Sequence, residues 1–499
     1  MEYLVPAWHD QLIDWSYTTP EIKFDDVVSH ARVLQKGGHQ ISLVITDYLP
    51  QLLTQLNQFA LQPDHMFSVF DYIQGIDVWG NQTVDYRDLK WPEGIIFDFT
   101  NFRLFAVLND KLYARITFDI QGKILSVEYT DGPQKGQTFL FDSRGFVSQI
   151  KDGNIEIYLD LKGHWRIKHN IDSGHVEVNP AAPKFCDKSE YDSLKDLIEE
   201  IVTKHCLDHL NSSDHLIVTG DDQSTVSQSI YNPYHPIFSF SHWHTATKNL
   251  NELQPSTVLV NNDHEKERLA DKIAGGDKAQ IIPLFQSQFK LGHSQRLSQQ
   301  RIAIFAEYMD PQELDEMIEM IYPRLIDNPD DTALYLFSYS PDKDGMVHQV
   351  FNKFRERHEG EFILSRNEVD PGENQLIDDL PPLLTIKAQR LMSSMDVLTA
   401  LDQIRLLICW NKPDDFMSIA GVSVGIPMLQ NFETAELQDG KNGMVCQNIN
   451  ALKHGIEYYL DTLKHWNQSL VYNVQMMNRY SEEHLLARWE KLFKGESAQ

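Results

Sequence analysis

The sequence predicts an α/β protein with two parallel-sheet domains and an antiparallel sheet inserted in the first of them. Three observations lead to this prediction. Residues 1–75 alternate short apolar strands with helices, which is typical of a parallel sheet with crossover helices. Residues 80–180 instead carry short β-rich runs at even spacing, and the strand–helix alternation returns after Pro180. Two Rossmann-like domains, the first interrupted by a β-meander, account for all three observations.

The composition excludes several classes of function. The chain has 499 residues, of which 42% are hydrophobic and 23% charged, as in ordinary globular proteins. Lys and Arg number 44 against 72 Asp and Glu, so the net charge is 44 − 72 = −28. This charge excludes a broad nucleic-acid surface, which needs clustered positive charge. It also argues against general attraction to anionic lipid, while a local basic patch stays open.

The cysteines and the N-terminus predict the compartment. Cys186, Cys206, Cys409 and Cys446 form no CxxC pair and no spacing typical of a metal site, which favours a reducing compartment. The N-terminus lacks the basic and apolar regions of a signal peptide. No apolar run approaches the roughly 20 residues that span a bilayer. We therefore predict a cytoplasmic protein.

The first α/β domain begins with a strand over residues 3–8, a helix over 27–36 and a strand over 41–45. Asp25 or Asp26 is a natural N-cap for that helix. Gly37 and Gly38 follow the helix, whose C-terminus is the wrong end for a phosphate, so they are expected to end the helix. After the insert, a helix over 191–205 and three further strands complete the domain. These strands are predicted at 215–219, 237–240 and 257–260.

The inserted β-meander is predicted from eight short runs and their connectors. The runs are residues 102–108, 112–120, 124–129, 138–141, 146–150, 155–159, 165–169 and 175–178. Asp-x-x-Gly connectors recur at Asp119, Asp142 and Asp160, and these residue types favour tight hairpins. An antiparallel sheet with a free face or edge suits binding of another protein or glycopeptide, although a structural flap is the alternative. We expect its contacts to be largely internal, which would make it a separable module.

The second α/β domain is predicted from strands over 301–306, 333–338, 361–364, 406–409 and 426–429. Helices are predicted at 311–322, 350–357, 456–466, 470–479 and 482–493. The predicted division of the chain therefore has five parts. Residues 1–80 and 183–270 form the first Rossmann-like domain, 81–182 the β-meander, 271–470 the second Rossmann-like domain, and 471–499 a C-terminal helix that crosses back to the first domain.

Residues 406–445 carry the most informative pattern, which is strand, polar loop, short helix, strand and glycine-rich loop. This pattern resembles the donor-sugar half of GT-B glycosyltransferases, and the predicted fold is therefore GT-B-like. The resemblance aligns Gly425-Ile426-Pro427 with the family's Gly-x-Pro, which two glutamates eight positions apart precede in active members. Here Ala420 and Lys412 occupy those positions. Neither side chain can accept a hydrogen bond from a sugar hydroxyl.

The resemblance also implies an Arg and a Lys after the first strand of the second domain, where they neutralise the donor diphosphate. This chain has Glu307 and Asp310 there, and two acids would repel a diphosphate. Glu433 and Glu436 follow the last strand, near where such enzymes hold the nucleobase or ribose. They either keep a vestigial contact or are simply exposed glutamates, and the second reading is the simpler one. The sequence thus predicts the secondary structure of a sugar-nucleotide site without the side chains that bind the donor.

Other candidate sites are weaker. Ser423 lies in a Gly-x-Ser-x-Gly match, but a hydrolase elbow needs a strand before the serine and a helix after it, and here the order is inverted. His242 and His244 could face one side of a strand, yet no spacing marks further zinc ligands. The acidic segments 327–331 and 342–344 are predicted to be solvated loops, because they lack the EF-hand spacing. We therefore predict no catalytic, cofactor-binding or metal-binding residue.

A second resemblance extends over nearly the whole chain. It is carried by Pro6-Ala7-Trp8, Phe24-Asp25-Asp26 and the segments 68–74, 142–148 and 177–180. The chain resembles the family of GT-B-like Asp proteins, the first of their series, in the bacterial accessory Sec export system. This resemblance implies a non-catalytic scaffold that acts with two sibling Asp proteins and an accessory SecA-type motor.

The same resemblance implies that the cargo is a glycosylated serine-rich-repeat adhesin. It places the protein in the cytoplasm, with a peripheral contact at the inner face of the cell membrane left open. The alternative from the same fold is a GT-B glycosyltransferase that modifies those adhesins, or its inactive chaperone subunit. The alternative from another class is a serine hydrolase that acts through Ser423.

Overall fold

The computed structural model describes residues 1–9, 24–77, 83–100, 103–241, 243–244, 247–248, 250–287, 290–366 and 381–496. The chain forms two compact units. The first comprises Met1–Thr18, Asp25–Ile282 and Lys491–Gln499, and the second comprises Thr19–Phe24 and Pro283–Glu490. The predicted α/β class, with parallel sheets and a large antiparallel sheet, is confirmed. The five-part division stays a prediction.

The first unit contains a seven-stranded parallel sheet and a ten-stranded antiparallel sheet. Its elements are β1 (Glu2–Val5), α1 (Asp26–Lys36), β2 (Ile41–Ile45), α2 (Leu52–Gln58), β3 (His65–Ser68), α3 (Val69–Gln74), β4 (Ile96–Phe99), β5 (Leu104–Leu108), β6 (Lys111–Phe118), β7 (Ile124–Tyr129), β8 (Gln137–Asp142), β9 (Phe146–Asp152), β10 (Ile155–Leu159), β11 (Trp165–Asn170), β12 (Val176–Val178), β13 (Glu190–Tyr191), α4 (Leu194–His205), β14 (His215–Thr219), β15 (Ile237–Phe240), β16 (Thr257–Val260), α5 (Asp263–Leu269) and β17 (Gln280–Ile281).

The parallel sheet has the order β17-β16-β15-β14-β1-β2-β3. Its first helix, α1, follows the predicted capping, since the Asp25 carboxylate accepts a hydrogen bond from Val28 N at 2.9 Å. Gly37 caps the other end of α1, and Gly38 has a φ of +84°. The prediction that this glycine pair ends the helix is therefore confirmed.

The antiparallel sheet runs in sequential order from β4 to β13. The predicted hairpin chemistry is confirmed at its turns. Asp119 Oδ1 accepts from Gln121 N, and Asp160 Oδ1 accepts from Lys162 N, both at 2.8 Å. Two strands, β4 and β13, were not predicted, because each is a short piece at one end of the sheet and lacks a clear alternation. The predicted start of the first run, residue 102, lies outside the described residues.

The expectation of largely internal contacts holds for strands β5 to β8 of the meander, which form their own apolar core, and is wrong for its later strands. Tyr158 and Ile167 of the meander share one apolar core with Phe70 and Ile73 of α3. The buried Gln74 side chain donates to two meander carbonyls, Ser148 O at 2.9 Å and Leu159 O at 2.6 Å. The sequence could not show this, because the apolar face of a strand carries no information about which element covers it.

The second unit is built on a six-stranded parallel sheet of order β20-β19-β18-β21-β22-β23. Its elements are β18 (Gln300–Phe305), α6 (Pro311–Asp327), β19 (Thr332–Ser338), α7 (Pro341–Arg357), β20 (Thr385–Arg390), α8 (Ser394–Leu401), β21 (Leu406–Cys409), α9 (Asp415–Val424), β22 (Met428–Gln430), β23 (Gly443–Val445), α10 (Ile449–Leu460) and α11 (Leu463–Arg479), and α12 (Glu482–Phe493) continues into the first unit.

Three predictions for the second unit need correction. Residues 361–364 are not a strand and contribute one isolated bridge, Ile363 to Leu383. The edge strands β20 and β23 were missed. Strand β20 contains several polar residues, some of them exposed, and β23 has only three residues. Asp342 and Asp344 lie in the first turn of α7 rather than in a loop, where acidic side chains suit the positive end of the helix.

No helix within the described ranges is long and apolar enough to cross a membrane.

Candidate functional site

The carboxyl edge of the second unit's sheet is the place where an open α/β sheet binds its ligand. The loops that follow β18, β19, β21 and β22 meet there. They contain every residue that the sequence singled out for donor binding except Ala420, which lies in α9. The geometry of this edge therefore decides what chemistry the second unit can perform.

The N-terminus of α6 is occupied by the chain's own acids. Asp310 Oδ1 accepts hydrogen bonds from Gln312 N and Glu313 N, each at 2.9 Å, and Glu313 Oε2 accepts from Asp310 N at 3.0 Å. This reciprocal arrangement is a capping box. Asp310 was predicted to oppose a diphosphate. The structure shows that it caps the helix end to which an anion would otherwise bind.

Glu307 satisfies the backbone at the start of α7. Its Oε2 atom accepts from Tyr339 N at 2.7 Å and from Ser340 N at 3.2 Å. Consecutive N–H groups at the end of a strand are typical donors for a bound phosphate. In this chain a resident carboxylate takes that place. Lys343, the nearby cation on α7, donates instead to the Met309 carbonyl at 2.7 Å.

Asp414 occupies the N-terminus of α9 and was missed by the sequence analysis. The residue is only 2% exposed, and its Oδ1 accepts from Met417 N at 2.8 Å. Its Oδ2 accepts from the Tyr308 hydroxyl at 3.0 Å. Burial raises the pKa of the Asp414 carboxyl, and burial together with the Asp414 charge raises the pKa of the Tyr308 hydroxyl. An Asp directly before a helical run signals an N-cap, and this signal could have found it.

The two positions aligned with the family's glutamates offer no acceptor. Ala420 is buried in α9 within an apolar core. Lys412 is exposed, and its Nζ lies 5.3 Å from the centroid of the Tyr308 ring. Directly before Lys412, Asn411 adopts a φ of +70° and donates through Nδ2 to Glu313 Oε2 at 2.6 Å. The loop after β21 is thus fixed by internal contacts.

Ser423 lacks the geometry of a nucleophile. It lies in the last turn of α9, is 2% exposed, and donates its hydroxyl to the Ile419 carbonyl at 2.7 Å. The predicted exposure of Glu433 is confirmed, while the same expectation for Glu436 is wrong. Glu436 is buried beside the Tyr480 hydroxyl, whose pKa burial and the Glu436 charge raise. The hydrolase alternative therefore has no support in the structure.

A second polar cluster lies at the carboxyl edge of the first unit's sheet. His9 Nε2 is 2.8 Å from Asp221 Oδ2, and His9 Nδ1 is 3.8 Å from Asp47 Oδ1. Hydrogen bonds to these carboxylates, chiefly Asp221, raise the pKa of His9 to about 10, so the imidazole is protonated at neutral pH. The three residues follow three different strands, which is why their meeting was not predicted.

The predicted histidine pair has no support as a metal site. His244 Nδ1 lies 3.4 Å from Oδ1 of the buried Asp26, which also accepts from the Ser241 hydroxyl at 2.8 Å. His242 lies outside the described residues. Within the part of the chain that the structure describes, no three His, Cys, Asp or Glu side chains are grouped as metal ligands would be.

Comparison with known families and proteins gives a match over almost the full length. The family model described as the accessory Sec system protein that is first in the Asp series matches residues 5–496. A curated relative with the same description, from Streptococcus gordonii, is 26% identical over 527 aligned positions. The alignment covers 99% of this chain and 99% of that protein.

Two solved structures show the fold. The crystal structure of accessory secretory protein 1, 2 and 3 in Streptococcus pneumoniae gives a TM-score of 0.74 at 22% identity, covering 99% of both chains. The pneumococcal O-GlcNAc transferase GtfA, solved with UDP and GlcNAc, gives 0.67 at 11% identity, also covering 99% of both chains. The predicted GT-B-like fold is confirmed by these similarities, which at such identities concern the fold alone.

Proposed function

The chain belongs to the accessory Sec family that is first in the Asp series, and we propose that it supports protein export as a scaffold without sugar-transfer activity. It is a component of the accessory Sec system with a glycosyltransferase-like fold. Membership of this family identifies the export system, whereas the absence of sugar-transfer activity is our inference from the carboxyl edge of the second unit's sheet.

The observation that carries this proposal is the occupation of that edge by resident carboxylates. Asp310, Glu307 and Asp414 satisfy the backbone donors at the starts of α6, α7 and α9. A sugar-nucleotide diphosphate would need those donors and neighbouring cations to bind. It would have to displace three carboxylates and would be repelled by any that remained.

The missing sugar contacts support the same proposal independently. Ala420 and Lys412 offer no acceptor where the GT-B resemblance implies two glutamates. Both positions follow β21, whereas Glu307 and Asp310 follow β18, so one local rearrangement would not restore both functions. The alternative of an active adhesin glycosyltransferase rests on fold similarity, and a fold by itself does not specify activity.

The partners we propose follow from the family. The Streptococcus pneumoniae structure is described as containing accessory secretory proteins 1, 2 and 3, and we propose two equivalent siblings as partners of this chain. We further propose an accessory SecA-type motor and a glycosylated serine-rich-repeat adhesin as partners. The site of action would be the cytoplasm, with a peripheral contact at the inner face of the membrane.

Titration calorimetry with UDP-GlcNAc tests the absence of donor binding. We expect no saturable heat, and a micromolar dissociation constant would contradict the proposal. Glu307→Gln is the matched variant, since it removes the charge and keeps the acceptor that Tyr339 N and Ser340 N require. Weak binding gained only in this variant would identify the Glu307 carboxylate as the group that excludes the diphosphate.

Co-purification tests the scaffold role. A tagged chain expressed in cells with the whole export locus should retain both sibling proteins through size-exclusion chromatography. Recovery of the chain alone, under conditions in which the siblings are expressed and soluble, would contradict the proposed assembly.

A further inference from the structure

The amino edge of the second unit's sheet carries two neighbouring arginines. Arg301 lies in β18 and Arg405 directly precedes β21, and Arg405 N donates to Arg301 O at 2.8 Å across the paired strands. Arg301 Cζ is 5.5 Å from the centroid of the Tyr335 ring, and Lys387 Nζ is 5.9 Å from the same centroid. Arg301 and Lys387 therefore lie beside the same ring, and Arg405 is the strand neighbour of Arg301.

Each guanidinium group has nitrogen atoms that find no acceptor among the described residues. Arg405 is 8% exposed, and this is true of its Nε and Nη1 atoms. Arg301 Nε also lacks an acceptor, although its Nη1 donates to Gln403 Oε1. Burial lowers the pKa of Arg405, and no carboxylate among the described residues offsets this effect. The guanidinium group of Arg405 stacks on Trp466, with Cζ 4.7 Å from the centroid of the ring.

Such an arrangement is costly without a ligand. A buried charged donor that lacks an acceptor destabilises the folded state. The cost is unexpected in a chain with a net charge of −28, where carboxylates are abundant. The nearest acid in the sequence, Asp402, is engaged by His293, with Nδ1 2.8 Å from Oδ1.

We propose that Arg301 and Arg405 form a binding site for an oxyanion, either a carboxylate or a phosphate group. The planar guanidinium group presents paired donors that match both anions. The site lies at the opposite edge of the sheet from the donor-site counterpart, so it is independent of any sugar nucleotide. Lys387 supplies further positive charge, and the half-buried Arg301 leaves the site open to solvent.

Calorimetric titration with inorganic phosphate and, separately, acetate tests the proposal in chloride buffers of matched ionic strength. We expect saturable binding of at least one anion and a weakening of tenfold or more in Arg301→Gln. Arg357→Gln is the control, because that arginine already pairs with Asp315 and Glu319 and its loss should leave anion binding unchanged.

The outcomes separate the two chemistries. Binding of phosphate alone identifies a phosphate site, and binding of acetate alone identifies a carboxylate site. Arg405→Met, which retains an apolar stem against Trp466, should abolish binding while the variant still melts cooperatively. Binding of neither anion by the intact chain, or equal binding by Arg301→Gln, overturns the proposal.

Discussion

Arg144 links the β-meander to helix α3 of the first unit. It lies in the turn between β8 and β9 and donates to Asp71 of α3 through two bonds, of 2.7 and 2.9 Å. It also donates to Asp142 Oδ1 through Nε at 2.8 Å. The side chains of Arg144 and Asp142 are 8% and 4% exposed, so solvent does little to screen this cluster. We predict that Arg144→Met strongly destabilises the first unit.

The magnitude follows from burial. Methionine keeps the apolar stem but leaves Asp142 and Asp71 without their cation. Removing one partner of a buried ion pair costs about 3–5 kcal/mol, because the other charge stays buried and unpaired. Each kcal/mol lowers the melting temperature of a domain of about 150–250 residues by about 2–4 °C, and the first unit is somewhat larger, so we expect a decrease of about 5–10 °C.

Differential scanning calorimetry of the full chain measures this decrease. Arg87→Met is the matched control, since the Arg87–Asp85 pair is 65% and 46% exposed and such pairs contribute less than about 1 kcal/mol. The first unit should melt earlier in Arg144→Met and be almost unchanged in Arg87→Met. An unchanged melting temperature for Arg144→Met would refute the conclusion that a buried charge cluster stabilises the packing of the meander against α3.

Three further predictions concern stability. His9 has an unfolded pKa of 6.5 and a folded pKa of about 10, so its contribution is complete below pH 6.5 and is lost as pH rises towards 10. The difference in unfolding free energy between wild type and His9→Gln should shrink over that range, and a constant difference would contradict the charged cluster. Glu307→Ala should cost about 1–3 kcal/mol in denaturant unfolding, because Tyr339 N and Ser340 N lose their acceptor, and Glu307→Gln should recover most of it. Deletion of residues 85–180 should abolish the melting transition of the first unit, because the deletion exposes part of the core that the meander shares with it. A normal transition would show that the meander is dispensable for folding.

The sequence predicted those features that depend on neighbouring residues. The Asp-x-x-Gly turns, the Asp25 cap and the glycine stop after α1 all follow from local backbone chemistry. The segments 68–74 and 142–148, which carry part of the family resemblance, meet in space through Arg144 and Asp71. Both segments thus take part in one contact between the meander and α3, which the sequence alone did not show.

The features that were missed depend on residues distant in the chain. The His9, Asp47 and Asp221 cluster forms because three strand ends meet at one edge of a parallel sheet. Strand β20 is specified by its in-register pairing with β19 rather than by its own polar sequence. The sequence predicts that Glu436 is exposed, because its polar neighbours are typical of a surface loop. In the folded chain, tertiary packing buries it beside Tyr480.

Adhesin export from cells that carry Lys412→Ala and Glu433→Ala together distinguishes a scaffold from a working donor site. Both side chains are exposed on the loops at the donor-site counterpart, so the protein should fold normally, whereas the buried Glu436 is left intact. If the chain acts as a scaffold, export and co-purification of the sibling proteins should equal those of wild type. Loss of export with normal assembly would show that this edge is a working site and would contradict the scaffold function.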